Sequence, residues 1–422
     1  MTGSNGSVPG QIDGAGVVIV GTGIAGITAA ETIRAQGFDG PITVVGAEPG
    51  LPYRRTALSK DILAADLGTD RIRLRAGQFW SDRQIEIRTG VAVESIDAEA
   101  RTVRLDSGDE IGYRALLLAT GARPHVLDGW DAVTLRTHEE ALALQSRLAE
   151  LADSSGAVVI VGAGLIGLEL AASARVKGIA VTVVDTADSP APRLPVQVRS
   201  LLADLHRNAG VDLQLGTAIA GVQPAIDATA GQTAAGPRPT VTLTNGQTRS
   251  ADLIVTAIGV RPNVELANAA GIAFSGIGIE VDENQRSSVA GIYAAGDVAS
   301  VADPFGGRAR AEHWLAAQDQ GKAAGLAIAA ELTGSDYSPA PLVPHAWTIQ
   351  FGVNVQFVGW PDAADTVQID GDPAAGDAEI RYVRDGELVG AVAIGRPAVA
   401  RAVKGELGAR LAGLDSPVAA VR

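Results

Sequence analysis

The sequence predicts an α/β chain with two strand–turn–helix–strand units of one plan and an α+β domain at the C-terminus. Three observations predict it. Gly21-Thr22-Gly23-Ile24-Ala25-Gly26 follows the apolar run Val17–Val20 and opens a helical pattern to about Gln36, with a second strand at Ile42–Val45. Gly162-Ala163-Gly164-Leu165-Ile166-Gly167 repeats this between Ala157–Val161, a helix to about Lys177 and the strand Ala180–Val184. From Trp347 onward the pattern turns β-rich, with Asp385-Gly386 as a hairpin turn between Glu379–Arg384 and Glu387–Ile394.

Between the two units, Ile85–Gly112 alternates in short β-like pieces, and Ala115–Ala119 reads as a buried parallel strand. Ala228–Pro239, rich in Gly, Ala, Pro and Thr, reads as a surface loop. Leu253–Ala257 and Gly291–Ala295 read as further buried strands, Ala311–Leu332 as a long helix, and Val399–Leu411 as a closing helix. The expected division is a leader at 1–16, a first nucleotide domain at 17–125 and 246–332, a second at 126–245, and the C-terminal domain at 333–422.

Each glycine turn carries chemistry because of where it stands. The first glycine permits a tight turn, the second lets a diphosphate approach the backbone, and the third lets helix and strand pack closely. The helix end adds free N–H groups and positive dipole. Gly21, Gly23 and Gly26 therefore predict one dinucleotide site, and Gly162, Gly164 and Gly167 a second. Glu48 and Asp185, each about 20 residues beyond its turn, end the following strands where a carboxylate accepts ribose hydroxyls. At the second site Asp185 repels a 2′-phosphate, which predicts NADH over NADPH; Arg193 nearby works the other way. Both units read as Rossmann-like, one for a held flavin nucleotide and one for an exchanging reductant.

Composition sets limits. The chain of 422 residues has room for two or three domains, and its 46% apolar content is ordinary for a globular protein. It has no cysteine, so disulfides, thiolate nucleophiles, cysteine-ligated iron–sulfur clusters and zinc–cysteine sites are excluded. Redox chemistry would then rest on an organic cofactor. A net charge of −14 argues against general nucleic-acid binding, and no apolar run is long enough for a membrane helix. Met1–Gly16 lacks the basic and apolar regions of a signal peptide and reads as a flexible leader on a cytoplasmic protein.

The order of the motifs resembles the FAD-dependent pyridine nucleotide-disulfide reductase superfamily, of glutathione-reductase-like fold. Within it the chain is similar to the ferredoxin reductases that serve Rieske oxygenases and cytochromes P450; apoptosis-inducing-factor-like proteins are relatives. The resemblance runs from about Val17 to Pro397. It is carried by both glycine turns, Pro52-Tyr53-Arg54-Arg55-Thr56-Ala57-Leu58-Ser59-Lys60, and the turns Ala119–Pro124 and Ala257–Asn263. Tyr293-Ala294-Ala295-Gly296-Asp297 and the helix positions Glu312, Trp314, Gln318 and Gly321 complete it.

That resemblance implies FAD and NADH as cofactors and an iron–sulfur ferredoxin as partner. It places Asp297 on the ribityl chain, Arg55 and Lys60 along the flavin with Lys60 near N5, and Arg123 at the FAD diphosphate. Glu169 would sit near the nicotinamide and Trp347 near the isoalloxazine. Ala119 and Trp314 become further FAD contacts, and Gly259 an NAD contact. Lys60 and Glu169 are the expected catalytic pair; a cation near the flavin stabilises its anionic reduced form. The chain departs from the pattern at Thr56-Ala57, where prolines are usual, at Ser189, where arginine is usual, and at Ala346-Trp347-Thr348-Ile349-Gln350, which replaces F-W-S-D-Q.

Hydride transfer needs the nicotinamide and flavin rings stacked at roughly 3–3.5 Å. With no cysteine pair to receive them, electrons would leave singly to a docked iron–sulfur protein. Arg71, Arg73 and Arg75 would share one face of a strand and offer a basic docking patch, with Arg308 and Arg310 a smaller one. An NAD(P)H oxidase or quinone reductase, and an apoptosis-factor-like redox sensor, stand as alternatives at this point.

Overall fold

A computed structural model of the chain describes residues 15–63, 68–127, 130–223 and 239–413. The expected loop Ala228–Pro239 and the leader lie outside these residues except at their last positions. Gly16 is a correction: it opens the first strand, paired with Tyr113, at a place where a Cβ would stand 2.0 Å from the Pro41 carbonyl oxygen.

The first unit is built on a seven-stranded sheet. Ile85–Thr89, Ile42–Gly46, Gly16–Val20 and Glu110–Leu118 run parallel in that spatial order, and Ile292–Ala294 adds to the far side of Glu110–Leu118. The nine-residue strand Glu110–Leu118 is long enough to serve two neighbours: its start pairs antiparallel with Thr102–Leu105, which pairs in turn with Val93–Asp97. Parallel strands covered on both faces need apolar side chains throughout, and Val17, Val18, Ile19, Leu116 and Leu117 are all buried.

The helix Ile24–Ala35 packs on the long helix Trp314–Thr333 through glycines. A Cβ at Gly321 would lie 2.2 Å from the Ala25 carbonyl oxygen, so only hydrogen fits there.

The second unit is a five-stranded parallel sheet ordered Asp212–Leu215, Ala180–Asp185, Ala157–Val161, Leu253–Thr256 and Ala132–Val133. The placement of Leu253–Thr256 corrects the expected boundary at 246, since this strand completes the second sheet instead of the first. A four-residue apolar run carries no mark of the sheet it will join. The two units are linked where Val260–Pro262 pairs antiparallel with Ala122–Pro124, the return and the exit of the chain.

The C-terminal sheet is antiparallel, in the order His345–Gln350, Val353–Gly359, Glu387–Ile394, Asp377–Arg384 and Thr366–Asp372. The expected Asp385-Gly386 hairpin is present, and helix Pro397–Ala412 covers one face with Ala400, Val403 and Leu407. The other face, with Phe357, Ile380 and Val392, shares one core with Leu168, Leu170 and Val183 of the second unit. This shared core carries His345–Gln350 to the place where the two nucleotide units meet.

Candidate functional site

Both glycine turns have the shape a diphosphate requires. Gly21 has φ 121°, and a Cβ there would meet the Ala119 carbonyl oxygen at 2.1 Å; one at Gly26 would meet the Gly21 oxygen at 2.1 Å. Gly23, between them, faces nothing within 4 Å among the described residues. The second turn repeats this: Gly162 and Gly167 would clash at 2.3 and 2.0 Å, while Gly164 has only the Ala257 oxygen at 4.0 Å. Gly23 and Gly164 each precede a helix with no side-chain cap, which leaves the first N–H groups free for an anion. The outer, middle glycine is open and the inner two are packed, so both turns fit a dinucleotide.

The acids at the strand ends are held differently. Asp185 accepts the Ala163 N–H at 2.6 Å through Oδ2 and the Ala187 N–H at 2.8 Å through Oδ1, which ties it to its own glycine turn. Glu48 instead accepts Arg55 Nη2 at 2.5 Å and the Tyr53 hydroxyl at 2.5 Å. Burial alone would raise the Glu48 carboxyl; Arg55, the Tyr53 hydroxyl and Arg136 together hold it below the usual range. Burial together with the neighbouring Glu48 carboxylate pushes the Tyr53 phenol far up, keeping it a neutral donor.

Arg55 also donates to the Arg136 carbonyl, and Arg136 pairs with Asp297 at 3.3 Å. Arg310 donates to the Asp297 carbonyl at 3.3 Å. Glu48, Arg55, Arg136 and Asp297 thus form one charged group beside the first glycine turn, and Gly296 next to Asp297 is anchored by its N–H to Gln320 Oε1 at 2.8 Å. Arg136 was missed in the sequence. The signal was local: it immediately precedes Thr137, which forms a capping box with Glu140, and the Arg136 N–H donates to Glu140.

Lys60 lies in the helical turn Leu58–Ile62 and meets Glu169, one turn into helix Leu165–Val176. Its Nζ is 2.8 Å from both carboxylate oxygens. Ser59 donates to Oε2 at 2.6 Å and Thr348 to Oε1 at 2.7 Å. Trp347, next along the C-terminal strand, places its ring centroid 5.7 Å from Lys60 Nζ. Ser59 and Thr348 were not singled out in the sequence, because a hydroxyl beside a distant carboxylate leaves no local pattern.

Other expected residues stand elsewhere. Trp314 is half-buried at the first position of its helix. Gly259 has φ 93°. Arg123 is engaged by Asn263 Oδ1 at 2.6 Å and by Glu265. The expected basic strand is corrected: Arg71 lies in helix Thr69–Ile72, and Arg73 and Arg75 follow it without a ladder. Arg73 pairs with Asp70 at 2.9 Å and Arg75 with Glu31 at 3.0 Å. Arg73 makes an isolated antiparallel bridge to Tyr53, too short a pairing to extend into a strand that would align all three arginines. Arg308 and Arg310, by contrast, are half-buried and turned onto the Val281 and Ser300 carbonyls and onto Glu312.

Among the described residues no group of His, Asp and Glu is placed to hold a metal ion, and no helix is long and apolar enough to cross a membrane.

The profile of pyridine nucleotide-disulphide oxidoreductases matches residues 15–321. The chain belongs to the pyridine nucleotide-disulphide oxidoreductase family. A second profile, reductase C-terminal, matches residues 345–417, the sheet that carries Trp347 and Thr348. Among family members, the chain is 39% identical to the anthranilate 1,2-dioxygenase system ferredoxin–NAD(+) reductase component of Burkholderia cepacia, over 89% of this chain and 90% of that one. It is 37% identical to rhodocoxin reductase of Rhodococcus erythropolis, over 90% and 86%. The solved covalent putidaredoxin reductase–putidaredoxin complex superposes with a TM-score of 0.84 at 31% identity, over 94% of this chain and 93% of that one. The ferredoxin reductase for the CYP199A2 system of Rhodopseudomonas palustris gives 0.82 at 34% identity, over 95% of each chain. This oxidoreductase is a family member with no cysteine of its own.

Proposed function

We propose that the protein is an FAD-dependent NADH:ferredoxin oxidoreductase that feeds an oxygenase or cytochrome P450. One observation carries the reading: Lys60 of the first unit, Glu169 beside the second glycine turn and Trp347 of the C-terminal sheet converge on one point. A cation fixed between the two nucleotide sites is what hydride transfer between two bound dinucleotides calls for. Bound here, FAD would supply a hydride acceptor for NADH and a single-electron donor for an iron–sulfur partner.

Gly21, Gly23 and Gly26 would hold the FAD diphosphate, Glu48 the adenosine ribose, and Asp297 with Arg136 the ribityl side. Arg55 and Lys60 would lie along the flavin; Lys60 places positive charge where negative charge develops. Gly162, Gly164, Gly167 and Asp185 would hold NADH. The Asp185 carboxylate, already fixed by two backbone N–H groups, meets a 2′-phosphate with repulsion, so NADPH is the weaker substrate. The absence of cysteine closes the dithiol route and leaves an external acceptor. The Burkholderia cepacia relative is named a ferredoxin–NAD(+) reductase component and the Rhodopseudomonas palustris protein a ferredoxin reductase, which supports the same partner class here. A cytoplasmic location is part of the same reading. We divide the chain at the Ala122–Pro124 and Val260–Pro262 ribbon, with the FAD domain on one side and the NADH domain on the other.

Stopped-flow mixing of the purified yellow protein with NADH or NADPH, followed by cytochrome c with and without a ferredoxin, tests this. The expected result is fast bleaching by NADH and cytochrome reduction only with ferredoxin. Fast oxygen consumption without ferredoxin, or a protein that takes up no flavin, overturns it.

A further inference from the structure

Glu169 is 4% exposed, and each of its oxygens accepts two hydrogen bonds, from Lys60 and Thr348 on Oε1 and from Lys60 and Ser59 on Oε2. The chain of bonds continues inward. Thr348 gives its only proton to the carboxylate, so its oxygen must accept, and Gln350 Nε2 lies 3.0 Å away. The Gln350 amide oxygen then faces away from Thr348, 2.8 Å from His206 Nε2. That oxygen only accepts, so Nε2 carries the imidazole proton, and the neutral ring keeps its lone pair on the buried Nδ1, which has no partner among the described residues. Every donor from His206 to Glu169 therefore points the same way. Thr348, Gln350 and His206 are 0%, 1% and 0% exposed.

The series crosses the molecule's parts. Lys60 belongs to the first unit, Glu169 and His206 to the second, and Thr348 and Gln350 to the inner face of the C-terminal edge strand. The Lys60 ammonium sits on a flexible four-carbon stem, so its place depends on the carboxylate that holds it. The geometry points to Thr348 and Gln350, backed by His206, as positioning residues that lock the Glu169 carboxylate and through it aim the Lys60 ammonium at the reduction site. Charge placement between the two nucleotide sites then depends on the docking of the C-terminal sheet. The inference rests on the proposed reading of Lys60 as the cation beside the flavin.

The test uses the full-length, FAD-loaded protein. Thr348→Val keeps the shape and removes the hydroxyl. The flavin midpoint potential, measured by dye equilibration, is expected to shift negative as the ammonium drifts. NADH bleaching is expected to slow by about 10- to 100-fold, with NADH affinity little changed. Thr348→Ser restores both, which loss of packing alone does not predict. Gln350→Leu, one link further away, gives a smaller shift of the same sign and serves if Thr348→Val fails to fold. Lys60→Met separates the two levels of the reading. If Lys60→Met leaves the potential unchanged, the proposed site is wrong; if it shifts the potential and the folded Thr348 and Gln350 variants do not, the positioning proposal alone is overturned.

Discussion

Asp185 and Glu169 show how much a single polar residue settles here. Asp185 holds the second glycine turn through the Ala163 N–H, and on the proposed reading the same carboxylate would also take the NADH ribose. Asp185→Ala should lose both functions. We expect a higher KM for NADH, a narrower NADH-to-NADPH preference, and a stability loss of about 1.5–3 kcal/mol for the charge-assisted bonds; steady-state kinetics and urea melts check it. Glu169 is the more severe case, because its removal strands the Lys60 cation, whose side chain is 19% exposed, between Trp347 and a void. Glu169→Ala is expected to cost about 3–5 kcal/mol in urea unfolding and to slow bleaching sharply. A variant with unchanged midpoint and rate would show that the pair is idle.

At the scale of elements, the two glycine-turn helices are copies in detail. Thr32 donates to the Thr28 carbonyl as Ser173 donates to the Glu169 carbonyl, one turn earlier in each case. Arg34 clamps the Phe38 and Gly40 carbonyls as Arg175 clamps the Ile179 and Ala209 carbonyls. The copies part at one position, where Thr28 stands in place of the second helix's Glu169. The first helix also has a constraint the second lacks, the close crossing at Gly321. Gly321→Ala must push the helices apart, and we expect a loss of about 1–3 kcal/mol with weaker flavin retention, read by thermal melts and flavin content. On the C-terminal edge strand, Thr348 and Gln350 point inward while Ile349 is 45% exposed. Ile349→Asp is therefore expected to leave bleaching by NADH unchanged and alter the KM for ferredoxin. A change in bleaching with unchanged ferredoxin kinetics would place Ile349 away from the electron exit.

Across the whole molecule, pH stability follows from three histidines. Burial lowers the His206, His313 and His345 imidazoles below their ordinary value of 6.5. The unfolded chain then binds protons that the folded chain refuses, so stability is full above pH 6.5 and falls as pH drops through it. Glu48, held below its ordinary range, adds loss of the same sign at lower pH, as its carboxylate is protonated. Urea midpoints should fall progressively from pH 7 to pH 5, and His206→Phe should flatten part of that slope. A midpoint that rises on acidification contradicts the assignment of His206 as neutral.

The sequence by itself determined the glycine turns, the acids that end the next strands, the order of the motifs and the hairpin at Asp385-Gly386. These are local rules: a turn needing φ 121° at Gly21, or a helix end needing open space at Gly23, is written within six residues. Lys60, Glu169 and Trp347 were also legible, through the resemblance. Tertiary structure alone decided which sheet received Leu253–Thr256, why Arg71, Arg73 and Arg75 make no strand, and that Arg136 joins Asp297. It also decided the bond series from His206 through Gln350 and Thr348 to Glu169. Those partners lie up to 179 residues apart along the chain. Hydrogen bonds and sheet membership depend on distance in space, and only the shared core that seats the C-terminal sheet on the second unit brings these groups within reach.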